Sequence, residues 1–398
     1  MIARMYIPIL LMIVLSDLYI DIHYLRRKFH LGDGRRLLWW LPCIGMVAYT
    51  VGLASVQNFV PDNLMWIEVY LMLLGIFVVP KAVFTICSVI GLGVCHLTHR
   101  RNNWGNIVGF FLGIVLVLMF VYSLTFGVRQ LSVKHIDLYV EKLPQAFEGY
   151  RILHFSDAHV GMFEGGKASL LARDIDSIKA QKADLVAFTG DLQNIQPSEL
   201  RPFMGMLHSI KAPDGVYSVL GNHDYSEYIQ ADGAVKRANE KELIARQRQF
   251  GWRLLLNEHA VVYRGQDSIV IAGTENDGRA PFPQHADYIK ALYGVGKKAF
   301  VVMLQHDPSA WDRHILPLTS ARLTLSGHTH AGQVSLLGFR PTRLAYAQDY
   351  GLYEQAGRYL YVTAGLGGVV PFRFGASAEI AVITLHRLES SKKESSHH

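Results

Sequence analysis

The sequence predicts a chain of two parts: an N-terminal region of four membrane-spanning α-helices, then a layered α/β domain. Three observations predict this. Four long apolar runs occupy the first 129 residues, and beyond Leu131 short buried-strand patterns alternate with helical stretches. Half of the 398 residues are apolar and only 18% are charged, a balance too apolar for an average soluble chain.

The apolar runs lie near Tyr6–Ile20, Leu37–Val60, Leu64–Leu97 and Trp104–Val128. About 20 apolar residues cross the hydrocarbon core as a helix, so each run predicts one span. The first run is short and carries Asp17. The third carries Glu68 near its start and Lys81 in its interior, directly after Pro80, where a kink or an early end is expected. The first run lacks a small-residue cleavage pattern before Asp21, so it is expected to be retained as a span.

Loop charge orients the spans. The stretch "HYLRRKFHLGDGRR" carries five Lys or Arg and "THRRNN" two, whereas "QNFVPDN" carries none. By the positive-inside rule the first and third loops face the cytoplasm, which puts everything after about Arg129 on the extracytoplasmic side. The net charge of +6 sits largely beside apolar runs. It therefore reads as topology signalling, and no nucleic-acid partner is expected. The cysteines, Cys43, Cys87 and Cys95, all precede the second part, which has neither a disulfide nor a thiolate nucleophile.

After the spans, residues 130–149 read as a linker and an edge strand, with "VKHIDLYVEKL" alternating in polarity. Residues 150–388 form the layered domain and 389–398 a polar tail, expected to be disordered. Within the domain, "YRILHFSD", "DLVAFTGD", "VYSVLGNHD", "SIVIAGTEND", "AFVVMLQHDP", "LTLSGHTH" and "YLYVTAGLGG" read as buried strands, with a helix at Lys167–Gln181. The insertion "SEYIQADGAVKRANEKELIARQRQFGW" reads as a charged, solvated helical layer rather than a lid.

Five of these strands end in potential metal ligands. They supply Asp157 and His159; Asp191; Asn222, His223 and Asp224; His306; and His328 and His330. Ligands collect beyond the carboxyl ends of strands in open sheets, because the strand fixes the backbone while the residues after it can converge. In "DAH" and "HTH" the spacing is i, i+2, so an extended backbone would aim both side chains the same way. Adjacent Gly161, Gly190, Gly221 and Gly327 permit tight turns or close backbone approach. Carboxylate, amide and imidazole donors without thiolate suit Mn, Fe or Zn better than a pure oxygen cage. The donors are too many for one ion. Two divalent ions bridged by a shared carboxylate would use them all, as expected for phosphate-ester hydrolysis.

The ordered set D-x-H, G-D, G-N-H-D, H and G-H-T-H resembles the calcineurin-like metallophosphoesterase superfamily, over roughly Tyr150 to Leu385. "SGHTHAGQ", "YGLYEQ" and "VTAGLGG" are similar to its bacterial membrane-associated branch. The resemblance implies a four-layer α-β-β-α sandwich and a bacterial inner-membrane location. It implies that Asp157, His159 and His330 hold one metal, that Asp191 bridges, and that Asn222, His306 and His328 complete the second site. His223 would contact the phosphate and assist the leaving group. A water held between two cations is a nucleophile near neutral pH, and a neutral Asn222 adds an oxygen without repelling the substrate. Asp224 is expected to orient its loop.

Many relatives carry a second Asp three residues after the bridging one, where this chain has Asn194. Its side-chain carbonyl is expected to hold the His223 ring, making a weaker general acid than a carboxylate would, and Asn194→Asp to keep or raise activity. The expected partners are a phosphoester substrate, in particular one carried on a membrane lipid, and the bilayer itself. "RAPFPQ" around Phe282 and "VVPFRF" at Val369–Phe374, with Arg373 between two aromatics, are candidates for a lipid-facing lip. The alternative is a non-catalytic membrane sensor or assembly partner, but every ligand position is filled.

Overall fold

The computed structural model describes residues 2–388; the polar tail expected at 389–398 lies outside the described residues. The chain divides into two compact units, with the boundary between Val128 and Arg129.

The first unit contains α1 (Tyr6–Ile20), α2 (Asp33–Ala54), α3 (Met65–Leu73), α4 (Val79–Thr98) and α5 (Trp104–Thr125). They make four helical segments long and apolar enough to cross a membrane, of 21, 22, 34 and 26 residues. The third joins α3 to α4 through a π-helical segment, Leu74–Val78. Pro80 explains it: without an N–H, and with its ring crowding the turn before it, proline forces the local ladder to re-space. The kink expected there takes this form. Helix α2 ends at Ala54, short of Val60.

Two of the three charges expected in the spans meet. Lys81 Nζ lies 2.7 and 2.6 Å from the two carboxylate oxygens of a fully buried Asp17. The pair removes the cost that either charge would carry alone in an apolar surround.

Among the described residues the second unit carries twelve strands. In chain order they are β1 (Leu131–Val140), β2 (Tyr150–Phe155), β3 (Leu185–Phe188), β4 (Val216–Ser218), β5 (Arg253–Leu254) and β6 (Glu258–Arg264). There follow β7 (Asp267–Gly273), β8 (Val301–Leu304), β9 (Leu323–Ser326), β10 (Gly351–Gln355), β11 (Arg358–Val362) and β12 (Ala378–Arg387). They form two six-stranded sheets, β1-β12-β2-β3-β4-β5 and β10-β11-β9-β8-β7-β6. Strands β2, β3 and β4 are mutually parallel, as are β7, β8 and β9.

Strand alternation sorts the core. Ile152, Leu185 and Ala187 of the first sheet meet Val302, Leu304, Leu323 and Leu325 of the second in one inner core. The alternate residues of the first sheet, Leu153, Phe155, Val186 and Phe188, face Leu171, Ile175 and Leu243. These come from α6 (Ala168–Ala180) and, past α7 (Met204–His208), α8 (Gly233–Gln249). On the far face of the second sheet, Val301 and Met303 pack on Trp311 and Ile315. The order is helix, sheet, sheet, helix. The charged insertion is α8, a covering layer anchored by buried Leu243 and Gln247.

One expected lip is corrected. Arg373 is 2% exposed and donates to the carbonyls of Ala364, Gly365, Gly367, Ala376 and Ser377. It staples the glycine-rich loop from inside, because a buried guanidinium needs acceptors for all its N–H groups.

Candidate metal centre

Parallel strands place the candidate residues. β2 delivers Asp157 and His159, β3 delivers Asp191, and β4 delivers Asn222, His223 and Asp224; β8 and β9 of the other sheet deliver His306, His328 and His330. Just past the strands the backbone turns sharply. Asp157, His159, Asp191, His328 and His330 all have positive φ, between 41° and 71°. Left-handed torsions at non-glycine residues cost roughly 1–3 kcal/mol each and persist where the surroundings impose them.

The i, i+2 pairs are therefore not extended, contrary to expectation. Asp157 and His159 still converge, joined by His330, while His328 separates to join Asp191 and His306. His159, Asp191 and His223 form a third group of close donors. Glycines permit the close approach. A Cβ on Gly221 would overlap the Asp191 carboxylate, and one on Gly327 would overlap Asp157 and Ser156.

Asp191 lies between the two sets. Its Oδ2 is 3.1 Å from His306 Nε2 and 3.7 Å from His159 Nε2, while its Oδ1 accepts the His223 backbone N–H at 2.8 Å. Asn222 Oδ1 lies 3.2 Å from His306 Nε2 and 2.8 Å from His328 Nδ1. His330 Nε2 is 3.4 Å from Asp157 Oδ1.

Hydrogen bonds on the far sides fix several of these groups. The carbonyl of Thr189 accepts from His306 Nδ1 at 2.7 Å, which aims Nε2 inward. Asn222 Nδ2 donates to Tyr228 at 2.8 Å, so its oxygen points to the site. Tyr346 Oη lies 2.7 Å from His328 Nε2. Asp224 accepts the N–H groups of Asp191, Leu192 and Gly221, each at 2.9 Å, and so ties two strand-end loops together.

His223 differs from expectation in its anchor. Its Nδ1 donates to the backbone carbonyl of Asn194 at 2.6 Å, whereas the side-chain Oδ1 of Asn194 is buried without a partner. The reason is loop geometry. Glu199 accepts the N–H groups of Asn194, Ile195 and Gln196 at 2.7, 2.8 and 3.0 Å, which turns the Asn194 main chain toward the ring.

Burial pulls His159 down to about 3 and lowers His223, His328 and His330 as well. Neutral imidazoles are the form that ligates metal. Burial also acts against protonation of His306, yet the charges of Asp191 and Asp157 push it up to about 10. Burial opposes ionisation of Asp191, but His306 and His223 hold it well below the usual carboxylate range.

The donor set fits metal. Both ring nitrogens of His159, and Nδ1 of His330, are buried without a hydrogen-bond partner. Buried polar atoms are rarely left so, and a cation would complete them. Tyr228, Tyr346 and Glu199 escaped the sequence reading. The pattern Q-P-S-E, with a carboxylate three residues after a cap, is the signal that could have found Glu199; the tyrosines had none.

Two family models match. That of the calcineurin-like phosphoesterases covers residues 150–332, and one described as a probable calcineurin-like phosphoesterase transmembrane domain covers residues 3–128. A transmembrane protein with metallophosphoesterase domain from Danio rerio is 32% identical over 283 residues, 68% of this chain and 61% of its own length. The chain thus spans under two thirds of that relative. The uncharacterized metallophosphoesterase YkuE of Bacillus subtilis is 30% identical over 61% of this chain and 81% of its own length. One from Aquifex aeolicus is 29% identical over 64% and 92%.

Proposed function

The chain belongs to the calcineurin-like phosphoesterases, as a membrane protein of that family, and from that premise we propose that it hydrolyses phosphoester or diphosphate bonds with a two-cation centre. One observation carries the reading: Asp191 Oδ2 lies between His159 and His306, the position of a carboxylate shared by two sites. Asp157, His159 and His330 would hold one divalent ion and Asn222, His306 and His328 the other, with Asp191 common to both; Mn, Fe and Zn suit these donors. When bound, the ions supply Lewis acidity and a water-derived nucleophile at neutral pH.

The chain's own residues do the rest. Asp224 and Glu199 fix the loops by accepting backbone N–H groups. His223 presents Nε2 to the substrate, since its Nδ1–H is engaged by the Asn194 carbonyl. Nε2, neutral at rest, would take up the proton that the attacking water gives up as its oxygen bonds to phosphorus, and would pass it to the leaving oxygen as the P–O bond breaks.

The substrate class we read is a phosphoester or diphosphate carried on a membrane lipid, with the catalytic unit on the extracytoplasmic face. Four spans and the Lys/Arg-rich first and third loops support that orientation. The test is metal-supplemented hydrolysis of phosphomonoester, phosphodiester and lipid-diphosphate substrates by the full chain and by Asp191→Asn. Loss of turnover only in the variant is expected. Equal activity in both proteins sinks the mechanism.

A further inference from the structure

Immediately after the G-H-T-H segment the chain forms a small hairpin that no part of the mechanism uses. Leu336 and Phe339 pair across a two-residue turn, with backbone hydrogen bonds of 3.0 and 2.9 Å. The turn residues Leu337 and Gly338 have φ of 50° and 83°. Both values are positive, as a tight hairpin turn requires, and asparagine or glycine is the comfortable occupant. Here the first position is a leucine in a strained backbone region, and it is 102% exposed.

Its neighbours share that exposure: Leu336 at 56%, Phe339 at 54% and Leu344 at 83%. Such a concentration of exposed large apolar side chains marks a contact surface rather than ordinary scatter. The hairpin's base is firmly held. Ser335 donates to the Phe374 carbonyl at 2.7 Å, and Arg340 forms two bonds to Asp349, at 2.7 and 2.9 Å.

Charge identifies the occupant. From His330 to Gln348 there is no Asp or Glu, while Arg340 and Arg343 lie beside the apolar tip. Asp349 balances Arg340 at 2.7 Å, whereas Arg343 lies 3.9 Å from the same buried carboxylate and keeps its side chain 58% exposed. Arg279, also exposed, donates to the Ala345 carbonyl at 3.4 Å and adds a further positive group. An apolar tip rimmed by arginine matches the boundary between acyl chains and anionic headgroups. The chain is itself held at a bilayer by its four apolar helices.

We propose that the Leu336–Phe339 hairpin and the short helical turn after it, Pro341–Leu344, dock into the interfacial layer of a lipid bilayer, with Leu337 and Leu344 among the acyl chains and Arg343 at lipid phosphates. The same segment reaches the metal centre through Tyr346, bonded to His328. A lipid phosphoester drawn to the hairpin would therefore sit beside the catalytic residues. In this respect the inference deepens the lipid reading above and rests on it for the substrate, whereas docking itself is measured without turnover.

The experiment uses the full chain in nanodiscs of phosphatidylcholine with phosphatidylglycerol. A benzophenone amino acid replaces Leu337, Leu344 or, as control, Tyr263, which is 71% exposed on β6. Irradiation followed by mass spectrometry is expected to give several-fold more lipid adduct at 337 and 344 than at 263. Arg343→Glu should reduce the excess seen with phosphatidylglycerol. Adduct at both 337 and 344 no greater than at 263 overturns the proposal, as does a chain-to-chain crosslink in place of lipid. Measuring two positions, one on the hairpin and one on the turn after it, guards against misfolding of either variant. Docking with no hydrolysis would count against the enzymatic reading alone.

Discussion

The backbone carbonyl of Asn194, not its side chain, holds His223 Nδ1, at 2.6 Å. Any residue at 194 that keeps the loop in place should therefore keep the imidazole oriented.

Asn194→Ala is expected to change kcat less than about tenfold, the reverse of what loss of an orienting side chain would do. Asn194→Asp should not raise activity, because Glu199 is close by: the two side chains face the same point over Gly161. Burial already pushes Glu199 up to about 7, against the pull of three backbone N–H groups. A second buried carboxylate raises the shared proton affinity further. The folded variant then binds more protons than the unfolded chain, so its stability falls as pH rises from about 4.5 upward. Melting of Asn194→Asp and wild type between pH 5 and 8 checks this; a variant equally stable at both ends counts against it.

Metal uptake should release protons. His306 is pushed up to about 10 and Asp157 up to about 6 in the metal-free chain, and both must be deprotonated to ligate. Near pH 7 about one proton per chain should leave, and affinity should rise about tenfold per pH unit. Calorimetry in buffers of different ionisation enthalpy gives the number directly. A buffer-independent heat would contradict the assignment.

Tyr346 and Tyr228 orient His328 and Asn222 from behind. Tyr346→Phe and Tyr228→Phe are expected to weaken metal affinity by about 10–100-fold. The change should appear chiefly at one of two binding steps, since both contacts serve the same donor group. Titration with Mn followed by electron paramagnetic resonance separates the steps. An equal effect on both would argue for general loosening instead.

In the membrane unit, Lys81 and Asp17 form a closed pair. Lys81→Met alone leaves a buried carboxylate uncompensated and should destabilise by about 3–5 kcal/mol. Adding Asp17→Leu should restore most of the loss, because an apolar pair of similar volume is often as stable as the ions. Detergent unfolding of the two single variants and the double variant measures the coupling.

Local chemistry was legible in the residues themselves. Apolar run lengths announced the spans, strands alternating with helical stretches announced a layered α/β domain, and the ligand types after each strand announced a metal centre. All of these are periodic or near-neighbour properties. Tertiary structure alone decided which groups meet. It sent His328 and His330, two residues apart, to different donor groups, through left-handed torsions that no spacing rule contains. It turned Arg373 inward onto carbonyls brought together by the glycine-rich loop, and it joined Lys81 to Asp17 across 64 positions of chain. It also substituted the main chain of Asn194 for its side chain. A sequence records donors and periodicity; sheet register and backbone torsion determine where each donor points.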